Sequence, residues 1–129
     1  MLTTAVFRRL LWAAALFNVL GAALLGFPAS PPGQLAGLPA DVPLAYRAIV
    51  AVFVLLFAGC YGWLAAQPEP DRPMVALGAI GKGAVVLVVI ALWLAAEVSL
   101  TSLAAVSGDA AFAALFLWWL RGAPRKSEG

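Results

Sequence analysis

The sequence predicts an all-α protein, a polytopic membrane four-helix bundle. Apolar residues make up 64% of the 129-residue chain, charged residues make up 11%, and the mean hydropathy is +1.00. Soluble domains hold about 45–50% apolar and about 25% charged residues. A soluble fold of this size has too little interior to hide so much apolar surface, so lipid is the expected solvent. The length predicts one transmembrane domain over residues 1–129.

Four apolar stretches are long enough to cross a membrane as helices, since about 20 residues span the roughly 30 Å hydrocarbon core. The predicted spans are 10–27, 44–66, 74–96 and 100–120. The first break, 28–43, holds five prolines and two glycines, and the second reads QPEPDRP. Neither can continue a helix. The third break, near Glu97, is weak, so the last two spans are predicted to form a tight hairpin.

The positions of the basic residues predict the orientation. Loops 28–43 and 97–100 carry no lysine or arginine. The positive-inside rule therefore places both termini in the cytoplasm of a multi-pass protein of the cytoplasmic (inner) membrane. The basic residues on the side of the termini are Arg8, Arg9, Arg72, Arg121, Arg125 and Lys126.

Aromatic residues fit the same frame, because tryptophan and tyrosine favour membrane interfaces. Those predicted near the cytoplasmic interface are Trp12, Trp63, Trp118 and Trp119, and those near the outer one are Tyr46 and Trp93. A cleaved signal peptide is the alternative for the first span, because Arg8-Arg9 precede an apolar run. A spanning helix is favoured, because the run is long for a signal peptide and has no clean A-x-A site.

Cysteine and histidine usage excludes several kinds of site. The chain has one cysteine, Cys60, and no histidine. This excludes a disulfide framework, a Cys-rich metal site, imidazole ligation of haem and His-based catalysis. We therefore expect no metal site and no cofactor, and the lack of a basic patch with aromatics argues against nucleic acid. The glycines of Gly78-x-x-Gly81-Lys82-Gly83 are predicted to be close-packing positions, since a phosphate loop needs a preceding strand and a following Ser or Thr.

Polar residues inside the spans predict a polar seam. Charges in lipid are costly unless they pair, face the interior or snorkel. Asn18 and Lys82 lie about 12 Å from the cytoplasmic end, and Asp109 about 17 Å. We predict an intramembrane ion pair between Lys82 and Asp109, with hydrogen bonds from Asn18. Tyr61 either donates a hydrogen bond into this seam or anchors the helix at an interface.

The pairing of Lys82 with Asp109 has two interpretations, a structural one and a ligand, ion or proton site. The structural role, helix-to-helix bonding, is favoured for Asn18. Near the outer surface, Arg47 and Glu97 lie at comparable depth and form a predicted outer polar pair. Simple snorkelling to the interface is the favoured alternative for these two residues.

Several of these features occur together in a known kind of protein. They are a short N-terminal arm, Asn18 with Gly21, Tyr46-Arg47, Gly81-Lys82 and Asp109. The whole-chain pattern resembles small bacterial four-span membrane proteins of the DoxX-like kind and related families. Members of that group have been linked to quinone-associated oxidoreductase complexes, so the resemblance implies a bacterial inner membrane. No catalytic residue is carried over, because the chain lacks histidine and paired cysteines.

The sequence therefore predicts a non-catalytic integral membrane protein that acts as an accessory or interaction subunit, or as a homo-oligomer. Small size, short loops and the lack of a catalytic constellation favour this function. The alternative is an intramembrane binding protein or enzyme for a lipid-like molecule, such as a quinone, isoprenoid or sterol-like compound. Lys82 and Asp109 would then be polar anchors or an acid–base pair. A third hypothesis is proton or small-ion movement along Asp109, Lys82 and Glu97.

Overall fold

A computed structural model describes residues 2–122 as an all-helical bundle. Its helices are α1 (Thr4–Gly26), α2 (Pro31–Leu35), α3 (Leu44–Ala66), α4 (Arg72–Leu94) and α5 (Leu100–Gly122). Each of the four long helices has 23 residues, about 34 Å at 1.5 Å per residue, and is apolar enough to cross a membrane. The predicted all-α four-helix bundle is confirmed. Arg125 and Lys126, two of the basic residues that predict the orientation, lie outside the described residues.

Two helices begin earlier than the predicted spans, each after a residue whose side chain caps its first turn. The α4 helix begins at Arg72 instead of 74, with Asp71 as the N-cap that accepts a bond from Met74 N at 3.1 Å. Pro73 lies in the first turn, where its missing N–H breaks no helical bond. The α1 helix begins at Thr4 instead of 10 and is capped in the same way by Thr3.

The long helices form two antiparallel pairs, α1 with α3 and α4 with α5. One end of the bundle, called the terminal end here, holds the start of α1 and the end of α5. The opposite end, called the loop end, holds the 28–43 segment and the α4–α5 turn. That turn is the predicted tight hairpin: Ala96 adopts φ 59° and Glu97 N donates to Leu92 O at 2.9 Å. These features match a Schellman motif, with alanine at the position that usually takes glycine.

The apolar core lies in the half of the bundle near the terminal end. Its largest fully buried side chains are Phe7, Leu11, Leu64, Val75 and Phe116. In the other half, no residue between positions 83 and 112 and none between 44 and 57 is buried. The two pairs are therefore joined by a packed core near the terminal end. Toward the loop end, α3, α4 and the first part of α5 are more exposed.

Trp119 lies near the terminal end of α5 and belongs to this core, so it is not an exposed residue of an aromatic belt. Its side chain is 5% exposed, and its ring stacks on Phe7 with centroids 4.4 Å apart and planes 7° apart. The Arg72 guanidinium lies 6.0 Å from the ring centroid. The other aromatic residues predicted at the interfaces are exposed: Trp12, Tyr46, Trp63, Trp93 and Trp118.

Three arginines connect helices within the pairs by binding carbonyl groups near helix ends. The last four carbonyls of a helix lack intrahelical partners and carry the negative end of the macrodipole. A guanidinium group therefore supplies both the missing hydrogen-bond donor and a favourable positive charge. Arg8 and Arg47 hold the two ends of the α1–α3 pair, and Arg72 holds the terminal end of α4–α5. The bonds are Arg8 Nε to Ala65 O (2.8 Å), Arg47 Nη1 to Gly26 O (2.7 Å) and Arg72 Nη2 to Leu120 O (2.7 Å).

The proline-rich 28–43 segment lies over the loop end of both pairs. It contains the short helix α2, which the sequence did not predict and which Ser30 caps at Gly33 N. A Cβ atom at Gly33 would overlap the Pro28 carbonyl, so only glycine fits there. Gly37 adopts φ 79° beside the Ser99 and Ser102 hydroxyls. The segment therefore joins α1 to the α4–α5 turn.

Candidate functional site

A cluster of polar groups connects the four long helices at mid-length. Lys82 Nζ on α4 donates to Asp109 Oδ1 on α5 at 2.7 Å and to Asn18 Oδ1 on α1 at 2.9 Å. Asn18 Nδ2 in turn donates to the Val54 carbonyl on α3 at 3.2 Å. We call these four residues the polar node. Through it, one ammonium group and one amide bind all four helices.

The node lies near the middle of the bundle. Lys82 is ten residues from the start of α4, about 15 Å, and Asp109 is nine from the start of α5, about 14 Å. Lys82 is 4% exposed, and Asn18 is 8% exposed. A charge at this depth is stable only when an opposite charge and hydrogen bonds replace water. The node supplies both.

Three aromatic rings surround the Lys82 ammonium group. The distances from Nζ to the ring centroids are 5.1 Å for Phe17, 5.2 Å for Tyr61 and 5.4 Å for Phe112. A cation within about 6 Å of an aromatic face gains about 0.5–2 kcal/mol, the higher value where water is excluded. The rings come from α1, α3 and α5, so the aromatic cage, like the polar node, connects these three helices to Lys82 on α4.

Two glycines make room for the cage. A Cβ atom at Gly78 would lie 2.9 Å from Tyr61 Cε1 and 3.2 Å from Phe116 Cε2. A Cβ atom at Gly108 would lie 2.6 Å from Phe17 Cε2. Close packing is therefore the role of Gly78, as predicted.

Close packing is not the role of the two other glycines of the same motif. No atom lies within 4 Å of a Cβ placed at Gly83, so the prediction is wrong there. At Gly81, a Cβ would make only an ordinary contact, 3.9 Å from Phe57.

The structure brings the predicted seam residues Asn18, Lys82 and Asp109 into direct contact. Tyr61 joins them through its ring, and its side chain is 2% exposed, so it does not anchor the helix at an interface. Within residues 2–122 its hydroxyl makes no hydrogen bond to the other three. The cage formed by Phe17, Tyr61 and Phe112 was missed, although all three rings follow the helical spacing of the inward faces.

The predicted outer pair of Arg47 and Glu97 does not form. Arg47 donates to the Gly26 carbonyl at the end of α1, its partner helix. Glu97 lies in the turn between α4 and α5 and is exposed. The two residues are at similar depth, but they belong to different helix pairs, and the nearest acceptor for Arg47 is a helix-end carbonyl.

One oxygen atom of the node, Oδ2 of Asp109, is available to bind another group. Asp109 is 19% exposed, and only its Oδ1 accepts a hydrogen bond from the described residues. The other carboxylate oxygen, Oδ2, accepts no hydrogen bond from residues 2–122 and is therefore available to a donor from a bound molecule. Within that range, no three Cys, Asp or Glu side chains are grouped so as to hold a metal ion.

Comparison of the chain with protein-family models, with characterised proteins and with solved structures found no match. The resemblance to DoxX-like proteins therefore stays a prediction, and functional arguments depend on the geometry of the node and of the exposed surfaces.

Substituting Gly78 by alanine tests the packing around the cage. We expect Gly78→Ala to lower the free energy of unfolding by about 1–3 kcal/mol, because Tyr61 and Phe116 are buried and cannot move aside. The matched control is Gly83→Ala on the same helix, which is expected to leave stability unchanged or raise it by up to about 1 kcal/mol. Reversible unfolding in detergent micelles measures both. Equal effects of the two substitutions would contradict the packing described here.

Proposed function

We propose that this protein is a non-catalytic, multi-pass membrane protein that acts as an accessory or interaction subunit, or as a homo-oligomer. The observation that carries the proposal is that the Lys82 ammonium group is buried and bound by side chains of the same chain. Its ammonium group is held by Asn18, by Asp109 and by three rings, and the side chain is 4% exposed. Such an ammonium group is committed to holding helices together and is not presented to a substrate.

The surface that remains for partners is the outward face of the helices. One face of α5 exposes mainly small side chains at helical spacing, whereas α4 exposes mainly leucine, valine and isoleucine. Small residues let membrane helices approach closely, so a small-residue face turned away from the core favours contact with another helix. The exposed small residues of this α5 face are Thr101, Ala104, Ser107, Ala111 and Ala114, and the exposed Leu100 and Trp118 lie at its two ends.

The proposed location is the cytoplasmic (inner) membrane of a bacterium, with both termini in the cytoplasm. Arg8 and Arg72 bind carbonyls at the terminal end of the bundle, where Arg121 also lies. At the loop end, Arg47 is the one basic residue among residues 2–122. This asymmetry supports the orientation through the positive-inside rule.

Neutralising the ion pair tests the structural role of the node. Lys82→Met and Asp109→Asn are each expected to destabilise the bundle by about 3–5 kcal/mol, because each leaves a buried charge without its partner. The double variant is expected to lose less than the more harmful single variant. Unfolding of the three variants in detergent measures the comparison. A double variant as unstable as the worse single one contradicts a purely structural pair.

A bulky substitution on the α5 face tests association. In native mass spectrometry from mild detergent, we expect the wild-type protein to appear as a homo-oligomer or with a protein partner. Ala111→Leu should weaken that association about tenfold, which corresponds to about 1.4 kcal/mol. The matched control is Ala84→Leu on the exposed surface of α4, which should leave it unchanged. A wild-type protein that is monomeric and without a partner would overturn the proposal.

A second candidate function, binding of a lipid-like molecule at the polar node, is favoured by the exposed Oδ2 of Asp109. A quinol or isoprenoid hydroxyl could donate a hydrogen bond to that oxygen. The filled aromatic cage argues against a large ligand beside Lys82. In the same spectra, this candidate predicts a stoichiometric small molecule that is retained by the wild type and lost in Asp109→Asn.

A further inference from the structure

A cavity of about 650 Å³, more open than enclosed, lies at the loop end between the end of α1, the 28–43 segment and the start of α3. Its volume falls within the usual range of small-molecule sites, roughly 300–1,000 Å³. Phe27, Pro28, Val42 and Pro43 supply apolar walls. Neither the polar node nor the α5 face takes part in it, so it calls for a separate explanation.

Two opposite charges line this cavity without binding each other. Arg47 is partly buried, and its Nη1 donates to Gly26 O. Its Nε and Nη2 donors bind no other group among the described residues and are available to a ligand. Asp41 is exposed on the facing segment, and no salt bridge joins it to Arg47 among the described residues. The cavity therefore offers a cation and an anion on separate walls, an arrangement that fits a ligand carrying both charges.

The cavity lies at the level where a membrane headgroup would be. It is at the ends of α1 and α3, two helices of membrane-spanning length. Phe27 in its lining is exposed, and the exposed side chains of Leu44 and Tyr46 belong to residues next to Pro43 and Arg47 in the chain. Aromatic side chains in such positions favour the boundary between headgroups and acyl chains. This placement holds whichever side of the membrane the loop end faces.

We propose that this cavity binds the headgroup of a zwitterionic phospholipid that carries a primary ammonium group. The phosphate lies on Arg47, because guanidinium N–H groups bind phosphate oxygens in a planar, two-point geometry. The ammonium lies on Asp41, to which it can donate hydrogen bonds. A quaternary ammonium, as in choline, has no N–H to donate and prefers aromatic faces. A glycerol headgroup has no cation for Asp41.

The experiment uses the full-length protein in nanodiscs that contain phosphatidylethanolamine, phosphatidylcholine and phosphatidylglycerol in equal amounts. Native mass spectrometry after release counts the lipids that stay bound. The wild type is expected to retain phosphatidylethanolamine at least tenfold over either of the other two. Equal retention of the three lipids would overturn the proposal.

Two variants separate the two charges. Arg47→Gln removes the guanidinium group and should lower the retention of all three lipids about tenfold. Because it also removes the bond from Arg47 Nη1 to Gly26 O, its unfolding in detergent is measured in parallel, and the lipid loss must occur in protein that remains folded. Asp41→Asn lies in an exposed segment outside the core, so folding is not at stake. It should keep phospholipid bound but remove the preference for ethanolamine over choline. Unchanged lipid selectivity in Asp41→Asn would overturn the proposed contact between Asp41 and the ammonium group. Unchanged lipid retention in Arg47→Gln would overturn the proposed contact between Arg47 and the phosphate.

Two controls identify the source of the ligand. Glu97→Gln removes an exposed carboxylate at the same end of the bundle but outside the cavity, and it should change neither retention nor selectivity. Glycerophosphoethanolamine, the soluble headgroup without acyl chains, should compete only at concentrations far above those of the lipid. Equal competition would overturn the lipid assignment in favour of a free phosphodiester. An effect of Glu97→Gln as large as that of Asp41→Asn would mean nonspecific attraction, which also overturns the proposal.

Discussion

The structure depends on the way in which one ammonium group is neutralised at the middle of the bundle. Lys82 is 4% exposed, so Asp109 must balance its charge, and side-chain oxygens accept two hydrogen bonds from its ammonium group. Those side chains come from different helices, and Asn18 extends the network to the Val54 carbonyl. Positioning one charge thus fixes the relative rotation and depth of all four long helices. Apolar packing alone specifies this poorly, because lipid tails are as apolar as leucine.

The rest of the bundle divides around this constraint. Toward the terminal end, the aromatic core of Phe7, Phe116 and Trp119 joins the two helix pairs. Toward the loop end, no comparable core exists among residues 83–112, and the 28–43 segment makes the connection instead. One half of the molecule therefore supplies stability, while the other presents surface and a charged cavity at the ends of α1 and α3.

Much of this arrangement could be predicted from the sequence, because membrane spans obey simple length and charge rules. Prolines located the breaks, and depth along each helix placed Asn18, Lys82 and Asp109 in one layer. Depth cannot tell which helices are neighbours, so it paired Arg47 with Glu97, whereas Arg47 binds the end of α1. The arginine–carbonyl bonds and the aromatic cage depend on which helix faces which, and no periodicity in one helix contains that information. The burial of Trp119 could not be predicted, because an exposed tryptophan and a core tryptophan near a helix end have the same sequence signature.

The most direct test of the account is a distance between Lys82 and Asp109 in a lipid bilayer. Solid-state NMR with ¹⁵Nζ-labelled lysine and ¹³Cγ-labelled aspartate suits this chain, which has two lysines and three aspartates. The Lys82→Met variant assigns the lysine signal. The ion pair predicts dipolar coupling that corresponds to an Nζ–Cγ distance below about 4 Å, since the carboxylate C–O bond adds about 1.2 Å to the Nζ–Oδ1 distance of 2.7 Å. A Lys82 signal without coupling to aspartate would contradict the claim that this ion pair organises the bundle.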